Sequence, residues 1–377
     1  QAFIDSGQTL DFSHVDGVEG VFVDKHSTGG VGDKTTLVLV PLLAAAGLKI
    51  AKLSGRGLGF TGGTVDKLES IPGFRVQLTR EDIIEQLKTI GAALSSQTQN
   101  LAPADAQMYA IRDVTGTFDN IPLIAASVVS KKIAAGAQVI VLDIKMGRGA
   151  FAKSLEEARL LSTMCRDIGK RLGRQIVTVI SSMEQPLGYA VGHTVEVIEA
   201  IETLKGNGPK DLKELCLTLG AMLLVSSGEA ESVEVAKETL AAYLSDGSAY
   251  DKFVALVKAQ GGEVESIEDT NLMPQPSRIK IFPARQAGYI AEIDSFKIAQ
   301  AVKSLGAGRL NKDTPIDLGV GIVLHKKVGD FVEANESIVE LYVGAKDDTD
   351  ALALLEDAIV YSEQPVEPPK LIYELGL

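Results

Sequence analysis

Two glycine-rich stretches, about one βα unit apart, constrain this chain more than any other feature. The first is Val23-Asp24-Lys25-His26-Ser27-Thr28-Gly29-Gly30-Val31-Gly32-Asp33-Lys34-Thr35-Thr36, and the second is Ser54-Gly55-Arg56-Gly57-Leu58-Gly59-Phe60-Thr61-Gly62-Gly63-Thr64-Val65-Asp66-Lys67. Each follows a short apolar run, residues 21–23 and 49–53, and leads into helix-like sequence. Glycines clustered at a strand-to-helix turn let backbone N–H groups ring an anion, which the helix N-terminus also favours. Lys25 adds a point charge, and Ser27, Thr36, Ser54 and Thr64 offer hydroxyl donors. Two such loops facing one space make a phosphate site. The plainer alternative is a pair of tight turns with no ligand.

Two well-known patterns need separating from these loops. Residues 57–62 match G-x-G-x-x-G letter for letter. No acidic residue stands at a second strand end about 20 residues on, where a dinucleotide ribose would need one. The first loop lacks the four-residue spacer before Gly-Lys that a Walker A loop requires. The expected ligand is therefore free or small phosphate.

Charge and composition narrow the partners. The chain has 37 basic and 50 acidic residues, a net charge of -13, which argues against nucleic acid or an anionic membrane. No apolar run approaches the roughly 20 residues of a membrane span, and nothing at the start reads as a signal peptide. Cys165 and Cys216 form no disulfide framework and read as buried apolar side chains in a reducing cytoplasm. The histidines (His14, His26, His193, His325) are too scattered for zinc.

The remaining sequence alternates strands and helices. Residues 35–47 read as an apolar helix closed by Gly47, and 49–54 as a buried strand. A helix over 79–91 takes Thr79 as N-cap, with Glu81 and Asp82 in its first turn. Pro103 opens a short helix carrying Tyr109 and Arg112 on one face, and 121–135 is another helix, with Ser127 and Lys131 four apart. Residues 137–144 and 175–181 are apolar strands of the kind covered on both faces in a parallel sheet, with a helix over 155–172 between them. Helices follow at 211–227 and 233–244. An acidic, proline-containing linker near 262–276 precedes a β-rich region with strands at 277–282, 288–293, 319–325 and 337–343. Asp66 and Glu69 read as helix-starting charges. The alternation predicts a doubly wound α/β protein.

Lys25-His26-Ser27-Thr28-Gly29-Gly30-Val31-Gly32-Asp33, the 54–59 run and Thr61-Gly62-Gly63-Thr64 resemble the signature of the thymidine and pyrimidine-nucleoside phosphorylases. The likeness extends through residues 101–105, 112–115, 127–132, 185–190 and 319–327, the last two resembling the broad-specificity branch. Phe60 departs from the signature, standing where the family usually has histidine. The resemblance implies a small helical lobe, N-terminally truncated here, a large α/β lobe with a mostly parallel sheet, and a C-terminal β-rich domain. The divisions it implies are 1–10 (helical-lobe remnant), 11–100 (phosphate loops), 101–135 (helical-lobe insertion), 136–270 (α/β continued) and 277–377. That last domain is similar to the hammerhead of biotinyl and lipoyl carriers. It lacks their modifiable lysine turn, so it reads as structural.

What the resemblance implies chemically is phosphorolysis of uridine, deoxyuridine or thymidine in nucleoside salvage. A strict thymidine phosphorylase, a phosphoribosyltransferase and a non-enzymatic nucleoside-binding protein stand as alternatives. By position, phosphate falls to Lys25, Ser27, Thr36, Ser54 and Thr64, and the base to Arg112, Ser127 and Lys131 with Tyr109 beside them. Leu58, Phe118, Ile124 and Phe151 form the apolar wall. His26 is the expected acid toward the leaving base, since an ordinary histidine pKa of about 6.5 suits that task. Inorganic phosphate is the co-substrate, and no metal or organic cofactor is demanded. The implied homodimer is cytoplasmic, and its lobes close for catalysis. The broad-specificity branch carries a monovalent-cation (potassium) site matching the Gly32 carbonyl, a hydroxyl at position 34, the Leu187 and Ala190 carbonyls and the Glu199 carboxylate. Here the hydroxyl is replaced by Lys34. Two readings stay open: its ammonium fills the ion's place and pairs with Glu199, or it is a solvated lysine beside an ordinary ion site.

Overall fold

The computed structural model describes the chain except residues 13, 58–61, 98–99, 116, 118–119 and 310–313, and it describes no side chain at 109, 110 or 112–114. After a short α1 (Ala2–Asp5), the first half alternates β1 (Val23–Ser27), α2 (Thr35–Ala45), β2 (Ile50–Ser54), α3 (Thr64–Leu68), α4 (Arg80–Thr89) and β3 (Ala92–Ser96). There follow α5 (Pro103–Thr115), α6 (Ile121–Ala134), β4 (Val139–Met146), α7 (Leu155–Arg171) and β5 (Gln175–Ser182). A short β6 (Ala190–Gly192) then leads to α8 (Thr194–Leu204), α9 (Lys210–Ser227), α10 (Val233–Ser245), α11 (Ser248–Ala259) and α12 (Val264–Glu268). The last hundred residues contain β7 (Arg278–Pro283), β8 (Gly288–Ile293), α13 (Ser295–Val302), β9 (Gly321–Leu324) and β10 (Phe331–Val332). They end with β11 (Ser337–Val343), α14 (Thr349–Ala358), β12 (Ile359–Ser362) and β13 (Ile372–Gly376).

Local signals account for many of these boundaries. The hydroxyl of Thr79 accepts from the Asp82 N–H at 3.1 Å while the Asp82 carboxylate accepts from the Thr79 N–H at 3.0 Å, a reciprocal cap that starts α4. Asn120 and Ser154 cap α6 and α7 in the simpler way. The apolar α2 has no polar face because it is enclosed: Leu37, Leu39, Leu42 and Leu43 are fully buried between the sheet and α8, α9 and α11. Each such side chain contributes about 2 kcal/mol through burial.

β1, β4 and β5 pair in parallel, β2 pairs in parallel with β3, and a parallel bridge from Phe22 to Lys49 joins the two sets. The strand order is therefore 3-2-1-4-5, with helices on both faces. Ser27 and Ser54 both lie at C-terminal strand ends, the edge where doubly wound sheets bind ligands. Among the described residues no helix is long and apolar enough to cross a membrane.

Two strands cross the division expected at 277. β13 returns from the C-terminus to pair antiparallel with β5, and β6 leaves the α/β region to pair with β9 in the sheet β6-β9-β11-β7. Long-range pairing of this kind has no local sequence signal. The helices α8, α11, α13 and α14 likewise go beyond what the sequence reading anticipates.

Candidate active site

The first loop leaves β1 and enters α2. Lys25 is buried, and its ammonium donates to the Thr35 hydroxyl and lies 3.7 Å from Asp33. Asp33 in turn accepts from the Thr35 N–H at 3.2 Å and from its hydroxyl at 2.6 Å. Burial alone would raise the Asp33 carboxyl. Lys25, Lys145 and the Ser27 and Thr35 hydroxyls outweigh it and hold the group well below the usual range. Ser27 accepts from the Gly29 N–H at 3.3 Å, and Thr36 lies in the first turn of α2. The second loop runs from Ser54, the last residue of β2, to Thr64, the first of α3.

Helix α6 reaches the same place. The Lys131 ammonium donates to the Ser127 hydroxyl at 3.0 Å and pairs with Asp105 of α5 at 2.9 Å. Its neighbour Lys132 points to β1, pairing with Asp24 at 2.9 Å and donating to the Leu53 carbonyl at 3.3 Å. Lys52 shares Asp24 at 3.4 Å. Asp24, Lys52 and Lys132, none of them anticipated from sequence, thus tie α6 to the bodies of β1 and β2. Ile124 packs at the edge of the core beneath α6, and Phe151 stands partly exposed on the loop after β4. Arg112, Tyr109, Leu58 and Phe118 lie outside the described residues or side chains, as does Phe60.

The electrostatics correct one premise. His26 does not keep an ordinary pKa: burial, then Lys132, Lys52, Lys131 and Lys25, drive it well below 6.5. Its imidazole is neutral near pH 7. Lysines from β1, β2 and α6 thus act together on one histidine, and burial holds Lys52 itself well below the ordinary lysine value.

Lys34 lies below the first loop, fully buried. Its ammonium donates to the Leu187 carbonyl at 3.0 Å, to the Ala190 carbonyl at 2.8 Å and to the Glu199 carboxylate of α8. The Gly32 carbonyl is taken by the Lys34 N–H at 3.0 Å and not by the ammonium. Burial works against the charge, but Glu199, Glu196 and Asp211 outweigh it and raise Lys34 above its usual value. Lys327 of the C-terminal domain takes the alternate carbonyls of the same turn, donating to Pro186 O and, at 2.8 Å, to Gly188 O, and pairing with Asp211 at 3.1 Å. A side chain at Gly188 (φ +68°) would lie 2.2 Å from Glu199 Oε2, so this turn requires glycine.

Comparison with known proteins shows the family. The glycosyl transferase family a/b domain matches residues 19–250, and the pyrimidine nucleoside phosphorylase C-terminal domain matches 289–362. The pyrimidine-nucleoside phosphorylase of Geobacillus stearothermophilus is 49% identical over 373 residues, covering 99% of this chain and 86% of that protein. This chain belongs to the pyrimidine-nucleoside phosphorylase family. The Bacillus subtilis member is also 49% identical, over 374 residues, with the same coverage of both chains. The family is one of glycosyl-transferring enzymes, and both the α/β lobe and the β-rich C-terminal domain described above fit it. In fold alone, anthranilate phosphoribosyltransferase from Thermus thermophilus is similar (TM-score 0.52, 18% identity, 68% of this chain and 82% of that one).

Proposed function

We propose that the chain cleaves uridine, deoxyuridine and thymidine with inorganic phosphate, giving free base and (deoxy)ribose 1-phosphate for nucleoside salvage. The observation that carries this reading is that Ser27 and Ser54 end two parallel strands in glycine-rich loops, with Lys25 beside them and the Ser127–Lys131 pair on α6, in a chain 49% identical to a pyrimidine-nucleoside phosphorylase. Lys25, Ser27, Thr36, Ser54 and Thr64 hold the phosphate. One phosphate oxygen bonds to C1′ as the bond from C1′ to the base nitrogen breaks, and the electron pair leaves with the base. Arg112, Ser127 and Lys131 hydrogen-bond the base, and the two cations bind more strongly as it becomes anionic. Tyr109, Leu58, Phe118, Ile124 and Phe151 enclose it. His26, being neutral, serves as an N–H donor toward a base carbonyl and not as an imidazolium acid. The Lys34 ammonium takes the role of a bound monovalent cation. The working form is a cytoplasmic homodimer, for which light scattering on the eluting protein is the check.

The deciding experiment is base release from the three nucleosides with inorganic phosphate and no added magnesium. Release from all three supports the proposal, and release from thymidine alone favours the strict thymidine enzyme. No release, with turnover appearing only with a phosphoribosyl diphosphate and magnesium, overturns it.

A further inference from the structure

Asp66, in the first turn of α3, has the position of a simple helix-starting charge, yet its carboxylate is 1% exposed. One oxygen accepts from the Gly57 N–H at 2.7 Å, and the other accepts from Arg56 Nη1 at 2.9 Å and from Arg309 Nη2 at 2.8 Å. Arg56 is held from its outer side by two 2.6 Å bonds to Glu69. Immediately before α3, Gly63 packs so tightly that a Cβ there would lie 2.1 Å from Gly57 N. Gly57, Gly63 and Asp66 therefore form the neck of the second glycine-rich loop. This neck fixes the spacing between Ser54 on one side and Thr64 on the other.

Arg309 comes from the C-terminal domain, 243 positions along the chain. It follows the wide helical turn Lys303–Ala307, which extends α13. Lys303, Ala307 and Gly308 border, with Gly32, Gly62 and His193, a cavity of about 40 Å³ between both glycine-rich loops and this segment. The next residue after Asp66 ties in the first loop: Lys67 Nζ donates to the Asp33 carbonyl at 2.7 Å and pairs with Glu196 at 2.6 Å. The C-terminal segment thus packs against the structure that spaces the proposed phosphate hydroxyls.

We infer that Arg309 is a positioning residue for phosphate: by completing the Asp66 cluster it holds the neck of the second loop, so the C-terminal domain sets the phosphate affinity of a site it does not itself line. The inference rests on the proposed function for the identity of the anion. It changes the reading of the C-terminal domain from scaffold to participant. Arg309 is about one-fifth exposed, so replacing it opens no large cavity, whereas Asp66 without it keeps a buried charge with one fewer partner.

The test compares wild type, R309A, R309Q and R309K in the full chain. It uses calorimetric Kd for inorganic phosphate alongside steady-state KM for phosphate and for nucleoside. R309A and R309Q are expected to weaken phosphate about tenfold, the effect of one lost charge-assisted hydrogen bond. Nucleoside KM at saturating phosphate stays within about twofold, and R309K recovers part of the loss. Unchanged phosphate Kd in folded R309A or R309Q overturns the inference, as does a parallel rise in both KM values with equal loss in R309K. If R309A fails to fold, R309Q carries the comparison. Wild type that binds phosphate but releases no base overturns the proposed function while leaving the Kd comparison to judge Arg309. Wild type that binds no phosphate overturns both.

Discussion

Replacing Lys34 tests whether a side-chain ammonium does the work of an ion beneath the first loop. In Lys34→Thr the Leu187 and Ala190 carbonyls lose their donor and Glu199 loses its counter-charge, all in a region where the lysine side chain is fully buried. Breaking a buried pair on one side costs about 3–5 kcal/mol. The lower end applies here, because Glu199 keeps the Tyr189 N–H at 2.9 Å and the Ala190 N–H at 3.1 Å. Chemical denaturation in choline chloride should therefore show a loss of about 3 kcal/mol. Potassium chloride at equal ionic strength should return most of it, since an ion at a hundred times its Kd contributes about 2.7 kcal/mol. Adding Glu199→Gln to the variant should cost much less than its effect alone, with a coupling of about 1.5 kcal/mol or more. The pair also has a definite pH window. Lys34 is raised in the folded state, so its contribution is complete below the ordinary lysine pKa of about 10.4 and is lost only as pH climbs past the raised value. A Lys34→Thr protein equally stable in both salts, or a wild-type activity that collapses without potassium, would refute the reasoning.

Three other outcomes can be checked. In the proposed base site, Lys131→Ala should lower kcat/KM about 100-fold through loss of a donor that strengthens as the base becomes anionic, and Arg112→Ala, assigned there by the family resemblance, should do the same; near-wild-type kinetics would remove them from that site. Because the pKa of His26 is driven well below 6.5, any acid limb it contributes to kcat/KM lies well below that pH, and a limb near 6.5 that vanishes in His26→Asn would contradict this. His193 is buried and lowered to about 4, first by burial, with Lys67 and Arg309 adding to it against Glu196 and Asp66. The unfolded chain therefore takes up this proton first, and stability should fall by about 3 kcal/mol between pH 6.5 and 4. His193→Gln should flatten that stretch of the stability profile, and an unchanged slope would show that other groups control it.

The sequence alone determined the features that depend on neighbouring residues. The glycine-rich turns, the Thr79 cap, the apolar runs of β4 and β5 and the i, i+4 pairing of Ser127 with Lys131 all arise from contacts within a few positions, so they are visible in order along the chain. The tertiary structure decided whatever joins distant segments. Lys52 and Lys132 are ordinary letters until Asp24 of β1 collects one from the neighbouring strand and one from α6. His26 looks like an ordinary acid until the half-buried setting at the end of β1 and the charges of four lysines from three elements act on it. Lys34 was legible as a departure, but its two readings could be separated only by the carbonyls of a turn more than 150 residues away. Arg309 and β13 carry no local signal, because a hydrogen bond to Asp66 or a strand added to β5 depends on where the chain returns in space. Local geometry is encoded by adjacency, whereas charge environment and strand partnership depend on the completed fold.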